Sequence, residues 1–196
     1  MPDVIEAKQT GTQYEPHPEG QFAVRCVDVI DLGEKLEQFP GSPERLIHKC
    51  VLVFQSGEKN ELGKLHEVSA EVTVSMHEKA TLRKLLEDWR GKSYSEEQAR
   101  AGVPVHKLAG HPALMNVEHK VSGAGRTYAK IRGISPLPKG MTAPDLPAYE
   151  RPAFWKERKE EYAATVAKYK ARIGLNGELD EMPEGLDEDD PDSLPF

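Results

Sequence analysis

The stretch His66-Glu67-Val68-Ser69-Ala70-Glu71-Val72-Thr73-Val74-Ser75-Met76 is followed, five residues on, by Leu82-Arg83-Lys84-Leu85-Leu86-Glu87-Asp88-Trp89-Arg90-Gly91. In the first run Val68, Ala70, Val72 and Val74 share one face, and Ser69, Glu71, Thr73 and Ser75 the other. That period of two belongs to a half-buried strand. In the second run Leu82, Leu85, Leu86 and Trp89 fall at i, i+3, i+4 and i+7. This is the stripe of an amphipathic helix, expected over residues 78–90 and ended by Gly91. What surrounds this strand-to-helix change sets the fold.

Upstream, residues 20–32 are rich in β-branched side chains and read as a first strand, and residues 46–55, with Cys50-Val51-Leu52-Val53-Phe54, as a second. Gly33, Pro40, Gly41 and Pro43 mark a loop between them, and Gly57, Asn60 and Gly63 the next. Downstream, Ser95-Glu96-Glu97-Gln98 has the form of a capping box. Residues 104–110 form a short helical turn or loop ending at Gly110. Strands at 113–121 and 126–134 flank the hairpin signal Ser122-Gly123-Ala124-Gly125. The order is three strands, a helix, then a two-stranded hairpin. A mainly β, five-stranded Greek-key barrel with its helix between strands 3 and 4 is the OB fold. The expected layout is a mobile arm at 1–19, the OB domain at 20–135, a Pro-rich linker at 136–152, a helix at 153–174 and a tail at 175–196. The last helix has a narrow stripe of Tyr162, Val166, Tyr169 and Ile173. It suits docking on the barrel or self-association, and its bases also suit an extension of a nucleic-acid track.

A hydrophobic content of 38% points to one modest core with polar extensions. The net charge of −7 hides an asymmetry. Of 33 acids, nine lie in residues 176–196, which hold no Lys or Arg; the remaining 24 face all 26 bases. The body is therefore slightly positive, and the acidic balance does not exclude nucleic acid. Cys26 and Cys50 lie in apolar runs without metal-ligand spacing and read as buried thiols. A polar N-terminus and the lack of a long apolar run lead us to expect a soluble, cytoplasmic chain with no membrane partner. The seven histidines are scattered, and no hydrolase, zincin or phosphate-loop motif occurs. Neither an enzyme nor a cofactor is expected.

The chain ends Asp189-Asp190-Pro191-Asp192-Ser193-Leu194-Pro195-Phe196. An acidic run closed by an aromatic carboxylate suits capture by another protein, with Phe196 in an apolar pocket and the acids on Arg or Lys. The segment resembles the C-terminal tip of bacterial single-stranded DNA-binding proteins. The segment 82–92 is also similar to one in small bacteriophage proteins of this organisation. These resemblances imply an OB-fold protein of DNA replication and recombination, bacteriophage or host, whose barrel binds single-stranded DNA. Its tail would recruit replication or recombination proteins through Asp189, Asp190, Asp192, Leu194, Pro195 and Phe196. The family's long Gly/Gln-rich linker is missing, so its tetramer does not carry over, and the oligomeric state stays open between monomer and homo-oligomer.

Binding of single strands needs cations along the phosphates and flat side chains under the bases. Tyr128, Lys130 and Arg132 alternate along the fifth strand. Arg25, Lys49 and Phe54 on the first two strands, Arg90, Lys92 and Tyr94 at the helix end, and Arg126 at the hairpin complete the candidate set. Phe54 suits the core as well as a stacking role, and Trp89 lies on the helix's apolar stripe. A second class of function stays open: a protein-binding adaptor whose tail mimics that of a DNA-binding protein and captures host replication factors.

Overall fold

A computed structural model of the chain describes residues 15–38 and 41–175. The tail residues named above and most of the expected arm lie outside these. Five strands, β1 (Gly20–Glu37), β2 (Arg45–Lys59), β3 (Leu65–Thr73), β4 (Pro112–Val121) and β5 (Thr127–Ser135), form one antiparallel sheet in the order β3-β2-β1-β4-β5. Between β3 and β4 come α1 (Thr81–Arg90), α2 (Glu96–Ala101) and a 3-10 turn (Val105–Leu108); α3 (Ala153–Leu175) follows the sheet.

The long β1 organises the sheet by changing partner. Gly20 to Arg25 pair with β4, and Arg25 to Glu37 with β2. The sheet curls, so that its two edge strands, β3 and β5, approach each other without sharing a ladder. Helix α1 packs against both edges. Its Leu82, Leu86 and Trp89 enter the inner face with Val24, Leu52, Phe54, Val68 and Met115. Each large apolar side chain buried there contributes about 1.5–3 kcal/mol. Trp89 also donates its indole N–H to Pro112 O at 2.9 Å.

The other face of β1 and β2 is covered as well. Val51 and Val53 point away from the inner core and are fully buried, with Ile30 and Leu32, beneath Trp155, Tyr149 and Tyr162. This explains the unbroken apolar run 50–54, because a strand covered on both faces does not alternate.

The structure corrects several expected boundaries. β1 runs five residues past Leu32, because Gly33 (φ 78°) sits at a bulge in the β1–β2 pairing and does not end the strand. β2 passes Gly57 (φ 88°) in the same way, with a register irregularity between Gln55 and Lys59. Helix α1 starts at Thr81 rather than 78, since residues 77–80 form a turn in which Ser75 Oγ accepts the His77 amide at 3.2 Å. It ends at Gly91 with φ 66°, where an added Cβ would lie 3.0 Å from Pro136 Cγ. The capping box on α2 forms: Ser95 Oγ accepts the Gln98 amide, and the Gln98 side chain accepts the Ser95 amide, each at 3.2 Å.

Candidate nucleic-acid interface

Pairing of β4 with β5 places Tyr128 opposite Lys120, and Lys130 opposite Glu118. These positions alternate with Val117 and Ile131, which belong to the inner core and its margin, so they face outward. Neither Tyr128 nor Lys130 is without a partner in the fold. A register shift between Asn116 and Val117 leaves Arg132 unpaired in the ladder and exposed. Arg126, also exposed, stands at the turn before β5, where its amide donates to Ser122 Oγ at 3.1 Å. From Arg126 to Arg132 the strand rises about 20 Å at roughly 3.3 Å per residue. One edge strand and the turn before it thus carry a tyrosine and three cations.

The second group sits at the end of α1. The Arg90 guanidinium lies 4.1 Å from the centre of the Tyr94 ring. The loop that carries them is fixed by two charged residues of α1. Glu87 Oε1 accepts the Tyr94 amide at 2.8 Å, and Arg83 donates to Tyr94 O at 3.2 Å, to Glu87 at 3.1 Å and to Glu96 at 3.0 Å. The Tyr94 amide holds the Glu87 carboxyl below the usual carboxylate range, helped by Arg83 and opposed by burial. Lys92 is exposed beside this pair. Contact of Gly91 with Pro136, the residue after β5, brings this group next to the C-terminal end of the β5 stripe. An arginine stacked on a tyrosine presents a flat cationic face on which a base can lie.

Three candidates are placed elsewhere. Phe54 is fully buried, its ring edge-on to Trp89 at 5.3 Å, and has no face for a base. Lys49 is 7% exposed and donates to Glu37 at 3.0 Å and to Thr73 Oγ1 at 3.1 Å. Burial raises the Glu37 carboxyl's proton affinity, but hydrogen bonds from Lys49 and Lys35 outweigh it and hold the group ionised below its ordinary range. Arg25 donates to Gly110 O at 2.7 Å and to Pro144 O at 3.3 Å, tying two loops to β1. These three maintain the fold.

The outer face of β1 and β2 is covered by residues 136–152 and by α3, which packs chiefly on β1, and acids line its β3 margin. Glu71 accepts from Tyr162 Oη at 3.0 Å and pairs with Arg158 at 3.3 Å. Glu67 accepts from Tyr149 Oη at 3.3 Å, and burial raises its carboxyl pKa against that bond. The bases of α3 largely serve docking. Lys159 donates to Asp31 O at 2.9 Å, Lys170 pairs with Glu34 at 2.7 Å, and Arg172 with Glu44. Just before the helix, Arg151 holds Asp28 in a fork of 2.7 and 2.9 Å.

Sequence reasoning passed over Lys120, Arg83 and Trp155. Trp155 lies seven residues before Tyr162, two turns back on the same stripe, so the helical period marked it. Arg83 sits on the apolar side of α1, where nothing in the sequence names its partners.

Among the described residues, no group of three or more His, Cys, Asp or Glu is arranged to hold a metal ion. Burial pushes the Cys26 thiol up to about 12 and the Cys50 thiol up to about 11, which leaves both unreactive. No helix among the described residues is long and apolar enough to cross a membrane. No protein-family model, curated protein or solved structure matches the chain.

Proposed function

We propose that this chain is an OB-fold protein that binds single-stranded DNA with little sequence preference during replication or recombination. In this reading its acidic tail recruits partner proteins. The observation that carries it is the succession of Arg126 in the turn and Tyr128, Lys130 and Arg132 along one edge strand, with the Arg90–Tyr94 stack and Lys92 beyond its end. Stacking surfaces interleaved with cations are what a single strand requires. The strand order, the approach of β3 to β5 and the helix packed on both edges agree with a five-stranded Greek-key barrel. The slightly positive body and the tip that resembles that of bacterial single-stranded DNA-binding proteins support the same reading.

A second reading draws on the partly covered outer face of β2 and β3. OB folds commonly take oligonucleotides on the β2–β3 face, and here its outer side is covered over β2 and carries Glu67 and Glu71 on β3. This favours an adaptor whose barrel binds protein. Fluorescence anisotropy with labelled oligo-dT at two salt concentrations, beside a duplex control, separates the two. The DNA reading expects micromolar or tighter binding to the single strand, weakening steeply with salt. No binding at low salt leaves the adaptor.

A further inference from the structure

The short segment before β1 is bound with unusual thoroughness. Residues 15–19 cross the end of the curled sheet where β1 and β3 begin and β2 and β4 finish. On one side Glu15 Oε2 accepts the Glu61 amide at 3.0 Å. On the other, Glu19 Oε1 accepts the His119 amide at 2.7 Å, and His119 Nε2 donates to His17 O at 2.8 Å. Between them His17 is 1% exposed. Its ring stands edge-on to Phe22 at 4.6 Å and lies 5.6 Å from the ring of His66, itself 5% exposed.

Both ring nitrogens of His17 are used, and their partners fix its proton. Nδ1 lies 2.9 Å from Pro18 O, which can only accept, so Nδ1 carries the hydrogen. Nε2 lies 2.6 Å from Ser56 Oγ and accepts the hydroxyl proton, while that oxygen accepts the Glu58 amide at 3.2 Å. The neutral ring is therefore fully satisfied. A second proton would displace the hydroxyl's donation and place a buried cation beside His66 and His119.

We propose that residues 15–19 form a plug, seated by neutral His17, which leaves the end of the sheet when the medium turns acidic. The charged and titratable groups around it are Glu15 and Glu19 on the segment, Glu58 on β2, His66 on β3 and His119 on β4. Burial, first, and then His66 and His119 hold the pKa of His17 below its usual 6.5; the bond to Pro18 O and the charge of Glu58 oppose them. The seated ring thus binds fewer protons than the released one. The hold is complete above 6.5 and weakens as pH falls from there toward the lowered value, by at most about tenfold per pH unit for one proton. A proton on His66 would face Glu15 at 3.6 Å and act against release. Acidification thus opens one end of the inner core.

Amide hydrogen exchange on the full chain at about pH 7.5 and about pH 5.5 tests this. After correction for intrinsic rates, protection of the Glu61 and His119 amides falls about tenfold, while that of Leu52 holds. In H17F, which has no proton to gain, the two amides show equal protection at both pH values. Unchanged protection in the native chain, or an equal fall in H17F, overturns the proposal. If H17F does not fold, the His17 ring proton in the native chain decides. A titration midpoint below 6.5 that coincides with the loss of protection upholds the plug, and one that does not coincide rejects it.

Discussion

At the scale of single residues, Tyr128 is the sharpest test of the interface. It faces outward beside Lys120 and is flanked in the chain by cationic positions. If it stacks a base, Tyr128→Ala weakens oligo-dT binding by about 1–3 kcal/mol, between roughly fivefold and 150-fold. Tyr128→Phe keeps the ring and therefore the affinity. Anisotropy titrations of both variants check this; an unchanged alanine variant removes Tyr128 from the site. The residue scale also shows what composition hides. Arg25 and Lys49 look like phosphate contacts in the sequence, yet their guanidinium and ammonium groups are held by carbonyls and a carboxylate of the fold. Which cation is already engaged depends on partners distant in the chain.

At the scale of elements, α3 belongs to the body of the molecule. Its cations make exposed pairs with β1 and the loop before β2, each worth about 0–1 kcal/mol and screened by salt. The hold comes from Trp155, 4% exposed, and Val166, 6% exposed. Trp155→Ala is expected to cost about 3–5 kcal/mol, lowering the urea midpoint, whereas about 1 M salt leaves the helix docked. A wild-type midpoint for the variant would mean that the helix contributes little. The helix itself was legible from its period, as were all five strands and the caps at Ser95 and Gly91, because these rest on neighbours within a few residues. The lengths of β1 and β2 were not. Gly33 and Gly57 signal a break locally, and only pairing with the adjacent strand turns each into an irregularity inside a longer strand. The cover over Val51 and Val53 was hidden for the same reason, since a buried strand face does not say what buries it. In the candidate site the outward positions of Tyr128 and Lys130 follow the alternation of the sequence, but the register shift that leaves Arg132 out of the ladder does not show there, and the fate of Arg25 and Lys49 depended on tertiary partners.

At the scale of the whole molecule, charge is divided between a body with 24 acids and 26 bases and a tail, residues 176–196, with nine acids and no base. If the body binds DNA, the tail repels the same phosphates and competes for the same cations. Removing residues 176–196 should leave oligo-dT affinity equal or higher. The gain should be largest at low salt and shrink as the screening length falls to about 10 Å at 0.1 M. A gain independent of salt would not be electrostatic, and a marked loss would make the tail part of the folded body. Deleting Phe196 alone separates the tail's two roles. It leaves the nine acids in place, so the charge that competes with DNA is unchanged. It removes the aromatic ring on which capture in an apolar pocket depends. The expected outcome is unchanged DNA affinity with loss of partner capture in a pull-down from host extract. Capture that persists without Phe196 would place the recognition elsewhere on the chain and end the case for the tip.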